Sequence, residues 1–101
     1  MKKEYESKIK DANMDNLFKG ILELNTVEEC YMFFEDLCTV KELQALSQRL
    51  QVAKLLKDNK TYIEIEEETG ASTATISRIS RFLNYGSGGY DIVLKSLKKE
   101  D

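Results

Sequence analysis

The chain of 101 residues contains no proline, no tryptophan and no histidine. Without imidazole there is no Ser/His or Cys/His nucleophile, no histidine general base and no His-ligated metal, which removes most hydrolase mechanisms and the commonest zinc sites. Cysteine is scarce as well. If Cys30 and Cys38 share one helix, their spacing of eight residues separates them by roughly 12 Å along the axis, too far for a disulfide. They are expected to be small buried apolar side chains in a reducing cytosol rather than metal or redox groups. No apolar run approaches the roughly 18 residues that span a membrane, and Met1-Lys-Lys-Glu-Tyr-Glu lacks the apolar stretch of a signal peptide, so a cytoplasmic protein is expected. Cations are the minority charge: 15 Lys and Arg against 18 Asp and Glu leave a formal net charge of −3. Taken at face value, that balance argues against a polyanionic partner such as DNA.

What is present is enough for one globular domain. The chain is 42% hydrophobic and 33% charged, too apolar for disorder and too short for several domains. Helix starts recur as a hydroxyl residue followed three positions later by Glu, at Thr26/Glu29, Thr39/Glu42 and Thr61/Glu64, each able to satisfy a backbone N–H at the helix end. Leu17, Phe18, Ile21 and Leu24 predict a first helix from about residue 13. Residues 1–12, rich in charge, are read as a flexible N-terminal arm, leaving 13–101 as the helical domain. A second helix over about 27–38 carries Val27, Cys30, Tyr31, Phe34, Leu37 and Cys38 on one stripe, with Met32 and Phe33 off it.

The third predicted helix, about 40–58, is apolar on two sides: Leu43, Leu46 and Leu50 form one stripe, and Ala45, Val52 and Leu56 lie nearly opposite. In a chain this short one core hardly surrounds such a helix, so a second copy is expected to supply the other wall in an intertwined homodimer. The competing arrangement is a monomer whose first and last helices cover both stripes.

Residues 61–83 carry the motif. Thr61-Tyr-Ile-Glu-Ile-Glu-Glu-Glu-Thr-Gly predicts a capped helix of about two turns ending at Gly70, the residue suited to a left-handed C-terminus. A second helix follows, capped by Ser72. Two short helices around a Gly-containing turn, with small Ala71 after it and Ile65, Ile76, Ile79 and Leu83 facing inward, form the helix-turn-helix pattern. Ala74, Ser77, Arg78 and Arg81 project from the other side of the second helix, with Thr73 in its first turn, and no acid occurs from Thr69 to Tyr90. Small and hydroxyl residues admit a helix close to base edges, while Arg donates to guanine or phosphate. Lys60, Thr61 and Tyr62 stand where backbone N–H groups, a cation and hydroxyls can grip a phosphate. The candidate DNA-contacting set is therefore Lys60, Thr61, Tyr62, Ser72, Thr73, Ala74, Thr75, Ser77, Arg78 and Arg81.

Two other features carry less. Glu66, Glu67 and Glu68 point in three directions around a helix and are read as a solvated face rather than paired catalytic carboxylates. Gly86-Ser-Gly-Gly has no preceding strand and no following Gly-Lys-Ser/Thr, so it is a break before a last helix from Tyr90 to about Leu97, with Tyr90, Val93, Leu94 and Leu97 expected to dock on the body.

The stretch Gly70-Ala-Ser-Thr-Ala-Thr-Ile-Ser-Arg, the Leu-rich helices before it and Tyr85-Gly-Ser-Gly-Gly-Tyr after it resemble the trp repressor superfamily over roughly residues 14–97, most closely its YerC/YecD-like branch. The resemblance implies an all-α fold of about six short helices, an intertwined homodimer, and one helix-turn-helix per subunit reading half-sites roughly 34 Å apart. It also implies a possible ligand pocket, because Arg49 and Arg78 match the two Arg that flank the indole of bound tryptophan in the trp repressor. Where the trp repressor has Gly after the second Arg, this chain has Ile79, and Phe82 replaces a Ser that helps hold the amino acid. Two bulky side chains would fill the cavity, so no tryptophan corepressor is expected, and no other cofactor or metal. Glu66 stands where such motifs commonly carry a small Ala.

The expected function is a sequence-specific transcriptional regulator, a repressor that occupies double-stranded DNA. The alternative is a helical protein–protein interaction module in which Arg78 and Arg81 pair with acidic partner residues. An enzyme is not expected, since no nucleophile, base and oxyanion site converge. The acidic balance then implies weak, salt-suppressed non-specific DNA binding, with useful affinity requiring the right sequence and two copies of the motif.

Overall fold

In a computed structural model describing residues 5–100, the chain is all-α. The helices are α1 (Ala12–Leu22), α2 (Val27–Leu37), α3 (Val40–Lys57), α4 (Tyr62–Thr69), α5 (Thr73–Tyr85) and α6 (Gly89–Glu100). Residues 1–4 of the expected arm lie outside the described residues. The helices fall into two compact units, one ending at Thr39 and one beginning at Val40.

In the first unit, Asp11 caps α1 by accepting the Met14 N–H at 2.7 Å, and Lys10 pairs with Asp15 at 2.8 Å, so the end of the arm is tied to the first turn. Thr26 caps α2, accepting the Glu29 N–H at 3.0 Å, while the Glu29 carboxylate reaches back to the Asn25 N–H at 2.7 Å. That return bond falls one residue before the N-cap itself. The Phe33 and Phe34 rings meet edge to face, 5.4 Å between centroids. No residue of α1 or α2 is buried. Leu22 is 80% exposed and Met32 68% exposed. Cys38 is half-buried and Cys30 exposed, both free thiols, which departs from the burial expected of them. Two helices of 11 residues offer too little surface to enclose one another's side chains.

The second unit holds the core: Val52 and Ala53 of α3, Ile65 of α4, Ala71 of the turn, and Ile76 and Ile79 of α5. Leu55 and Leu56 of α3 and Tyr90 and Leu94 of α6 pack against it. Burying each Ile or Val side chain contributes about 1.5–3 kcal/mol. The two-sided character of α3 has a definite outcome: its Val52 side forms the core, whereas Leu46 stays 47% exposed and Leu43 and Leu50 half-buried. In α6 the expected docking face divides, with Tyr90 and Leu94 inward and Val93 and Leu97 largely exposed.

The connection from α3 to α4 is set by backbone geometry. Asn59 takes φ 63°, a left-handed conformation that Asn tolerates better than most residues. The Asn59 N–H then donates to the Leu56 carbonyl and the Lys60 N–H to the Leu55 carbonyl, both at 3.1 Å. These paired bonds form a Schellman motif, which closes α3 and sends the chain into α4.

Candidate nucleic-acid interface

Between α4 and α5 the sequence dictates the turn almost atom by atom. Gly70 sits at φ 75° with its N–H on the Glu66 carbonyl at 2.9 Å, a left-handed cap that costs little without a Cβ. Thr69 adds a lock: its hydroxyl donates to the Ile65 carbonyl at 2.7 Å and accepts the Ala71 N–H at 3.1 Å. From α3, the Gln48 side-chain amide donates to the Thr69 carbonyl at 3.2 Å. Ala71 is buried beneath the turn. With Ile65, Ile76 and Ile79 in one core, α4 and α5 are held as a fixed pair, and Leu83 is half-buried on the same side.

At the start of α4, Thr61 forms the reciprocal box expected of it, accepting the Glu64 N–H at 3.2 Å while its own N–H donates to the Glu64 carboxylate at 2.9 Å. The Thr61 backbone bond, then its hydroxyl, hold the Glu64 carboxyl below its ordinary value, with Lys60 adding a smaller attraction. Lys60 and Tyr62 are exposed at this end, and the Thr61 N–H is already engaged by the Glu64 carboxylate.

Ser72 caps α5, accepting the Thr75 N–H at 3.2 Å and donating to the Thr75 hydroxyl at 3.0 Å. These two side chains therefore shape the first turn. Thr73, Ala74, Ser77, Arg78 and Arg81 are exposed along α5, and no acid lies on that helix. One acid reaches it from outside: the half-buried Glu66 of α4 accepts a hydrogen bond from the Thr73 hydroxyl. The residue chemistry alone did not reveal this pairing across seven positions, since it depends on how the turn folds α4 back against α5.

The residues of the possible ligand pocket differ in exposure. Ile79 is buried in the core, and Arg49 is exposed on α3. The Arg78 guanidinium lies 6.0 Å from the centroid of the Phe82 ring, within cation–π range. Phe82 is 53% exposed and borders an apolar hollow with Leu50, Tyr90, Val93 and the glycines at 86, 88 and 89. Among the described residues no group of His, Cys, Asp or Glu could hold a metal ion, and no helix is long and apolar enough to cross a membrane.

The described fold has well-matched relatives. The family model for the Trp repressor protein matches residues 12–98. The Bacillus subtilis (strain 168) protein YerC, itself uncharacterised, is 52% identical over 94 residues, covering 93% of this chain and 90% of YerC. A crystal structure from Staphylococcus aureus, described provisionally as a Trp repressor, has 55% identity and a TM-score of 0.86, covering 90% of this chain and 91% of its own. A TrpR-like protein of Eubacterium eligens ATCC 27750 has 53% identity and a TM-score of 0.87 over 90% of this chain and 94% of its own. With a model spanning most of the sequence and relatives sharing half of its residues, the chain belongs to the Trp repressor family.

Proposed function

We propose that this protein is a sequence-specific DNA-binding regulator that acts as a homodimer and represses by occupying an operator. The observation that carries the reading is the exposed face of α5, a helix with no acid of its own, with Thr73, Ala74, Ser77, Arg78 and Arg81, held by a turn that Thr69, Gly70 and Ala71 lock. Arg78 and Arg81 supply charge to phosphates or guanine edges, and the small residues between them let the helix approach the groove floor. Lys60 and Tyr62 at the start of α4 add phosphate contacts. Dimerisation supplies the second reading helix, and the exposed Leu46 side of α3 and the apolar faces of α1 and α2 support it. No tryptophan corepressor is part of the reading, since Ile79 fills core space and Phe82 stands beside Arg78.

The test is selection of bound fragments from random duplex DNA, followed by titration of the selected site at several salt concentrations. Each phosphate neutralised contributes about −0.9 to the slope of log affinity against log salt. Arg78→Ala with Arg81→Ala is expected to weaken binding and flatten that slope. Unchanged affinity and slope would remove those residues from the interface, and failure to enrich any sequence would favour the protein-interaction module. Calorimetry with tryptophan is expected to give no heat of binding, and a micromolar affinity would overturn that part.

A further inference from the structure

We infer that Glu66, held by Thr73, is a base-reading residue that selects cytosine at one position of each half-site; this rests on the DNA-binding reading above. Glu66 belongs to α4, yet its carboxylate lies against the first turn of α5, where it accepts the Thr73 hydroxyl. It is half-buried, while its neighbours Glu67 and Glu68 are exposed. Its place is therefore at the first turn of α5, whose own residues and those up to residue 90 include no acid.

A carboxylate there has a sharp electrostatic preference. It can only accept hydrogen bonds, and beside a phosphate it repels. In the major groove the partner it can use is an exocyclic amino group. Cytosine presents its N4 amino donor, whereas guanine presents two acceptors and thymine a third. Adenine offers an amino group next to the N7 acceptor, which a carboxylate opposes, so cytosine is the base the geometry favours. One acceptor position of Glu66 is filled by Thr73, which restrains the carboxylate and leaves its charge and its other lone pairs free to accept. Thr73 is thus a positioning residue and Glu66 the reader.

The full-length protein, its Glu66→Ala variant and its Thr73→Val variant are each used to select sites from random duplex DNA, with circular dichroism and thermal unfolding run in parallel. The wild type is expected to enrich cytosine at one position of each half-site by roughly tenfold over guanine or thymine. Glu66→Ala is expected to lose that preference alone, to keep the other positions, and to bind unrelated duplex more tightly as a repulsive charge is removed. Thr73→Val is expected to reduce the preference without abolishing it. If the wild type selects a site and Glu66→Ala selects the same one at every position, Glu66 is only a tie between helices and the inference is overturned. If the wild type enriches nothing, the DNA-binding reading itself falls and takes this one with it.

Discussion

Both halves of the chain are written in amphipathic helices, yet the helices before Thr39 bury no residue and those after it enclose Val52, Ala53, Ile65, Ala71, Ile76 and Ile79. Their apolar stripes do not account for the difference. In the second unit α3 packs along α4, α5 and α6 at once, so each stripe meets several surfaces. In the first, Leu22, Val27, Tyr31, Met32 and Leu37 remain exposed. Residues 20–40 also contain five acids and no cation. Amphipathic spacing shows that a face is suited to burial; it does not say which surface will cover it.

Truncation of one side chain in each unit sharpens this contrast most. Ile65→Ala removes a fully buried side chain and is expected to cost about 2–5 kcal/mol in urea unfolding. Met32→Ala, in a chain folding alone, is expected to cost less than about 0.5 kcal/mol. In the proposed dimer its effect appears instead as a shift in subunit dissociation, read by light scattering across a dilution series. Equal costs at the two sites in a chain that runs as a single 11.6 kDa species would break the contrast.

The next largest effect is expected at the end of α5. A Cβ on Gly86 would run into the Phe82 carbonyl oxygen, which accepts the Gly86 N–H. Gly86→Ala therefore forces a backbone shift, with an expected loss of about 1–3 kcal/mol and altered packing of α6. Gly20→Ala inside α1, where a Cβ meets open space, is expected to stabilise by up to about 1 kcal/mol instead. Thr61→Ala removes the α4 cap and is expected to cost about 1 kcal/mol.

The smallest effect is a pH dependence. Glu64 is held below its ordinary value of 4.5 by Thr61, and Asp91 below 3.8 by its ion pair with Lys57 at 2.9 Å. A carboxyl whose folded value is depressed binds its proton more readily in the unfolded chain. Its contribution is therefore full above the ordinary value and lost as pH falls through the lower, folded one. Unfolding midpoints measured from pH 6 downward should show this loss. Glu64→Gln should remove the Glu64 part, whereas Thr61→Ala, which keeps the backbone N–H donor, should only reduce it; an unchanged profile in Glu64→Gln would assign the acid sensitivity elsewhere.

Much of the second unit was legible in the sequence because its signals are local. The Thr61 box, the left-handed Gly70 and the Ser72 cap each depend on residues within four positions, and all three appear at the expected places. The inward Ile65, Ile76 and Ile79 follow from helical spacing. Contacts that depend on how the chain packs between elements were not legible: Glu66 on Thr73 and Gln48 on the Thr69 carbonyl. The Asn59 turn left a trace only in the tolerance of Asn for positive φ. In the first unit the helices were legible and the fate of their faces was not, because Cys30 and Met32 carry the same pattern whether covered or bare.

The bare faces of α1 and α2 have a consequence during synthesis. A ribosome adds roughly 5–20 residues per second, so residues 1–39 are made several seconds before the chain is finished, and their unit ends before the first core residue, Val52, is added. In that interval the newborn segment has apolar stripes and no interior of its own to put them in. The acids at 23, 28, 29, 35 and 36 place charge of one sign beside those stripes, which weakens attraction between identical segments.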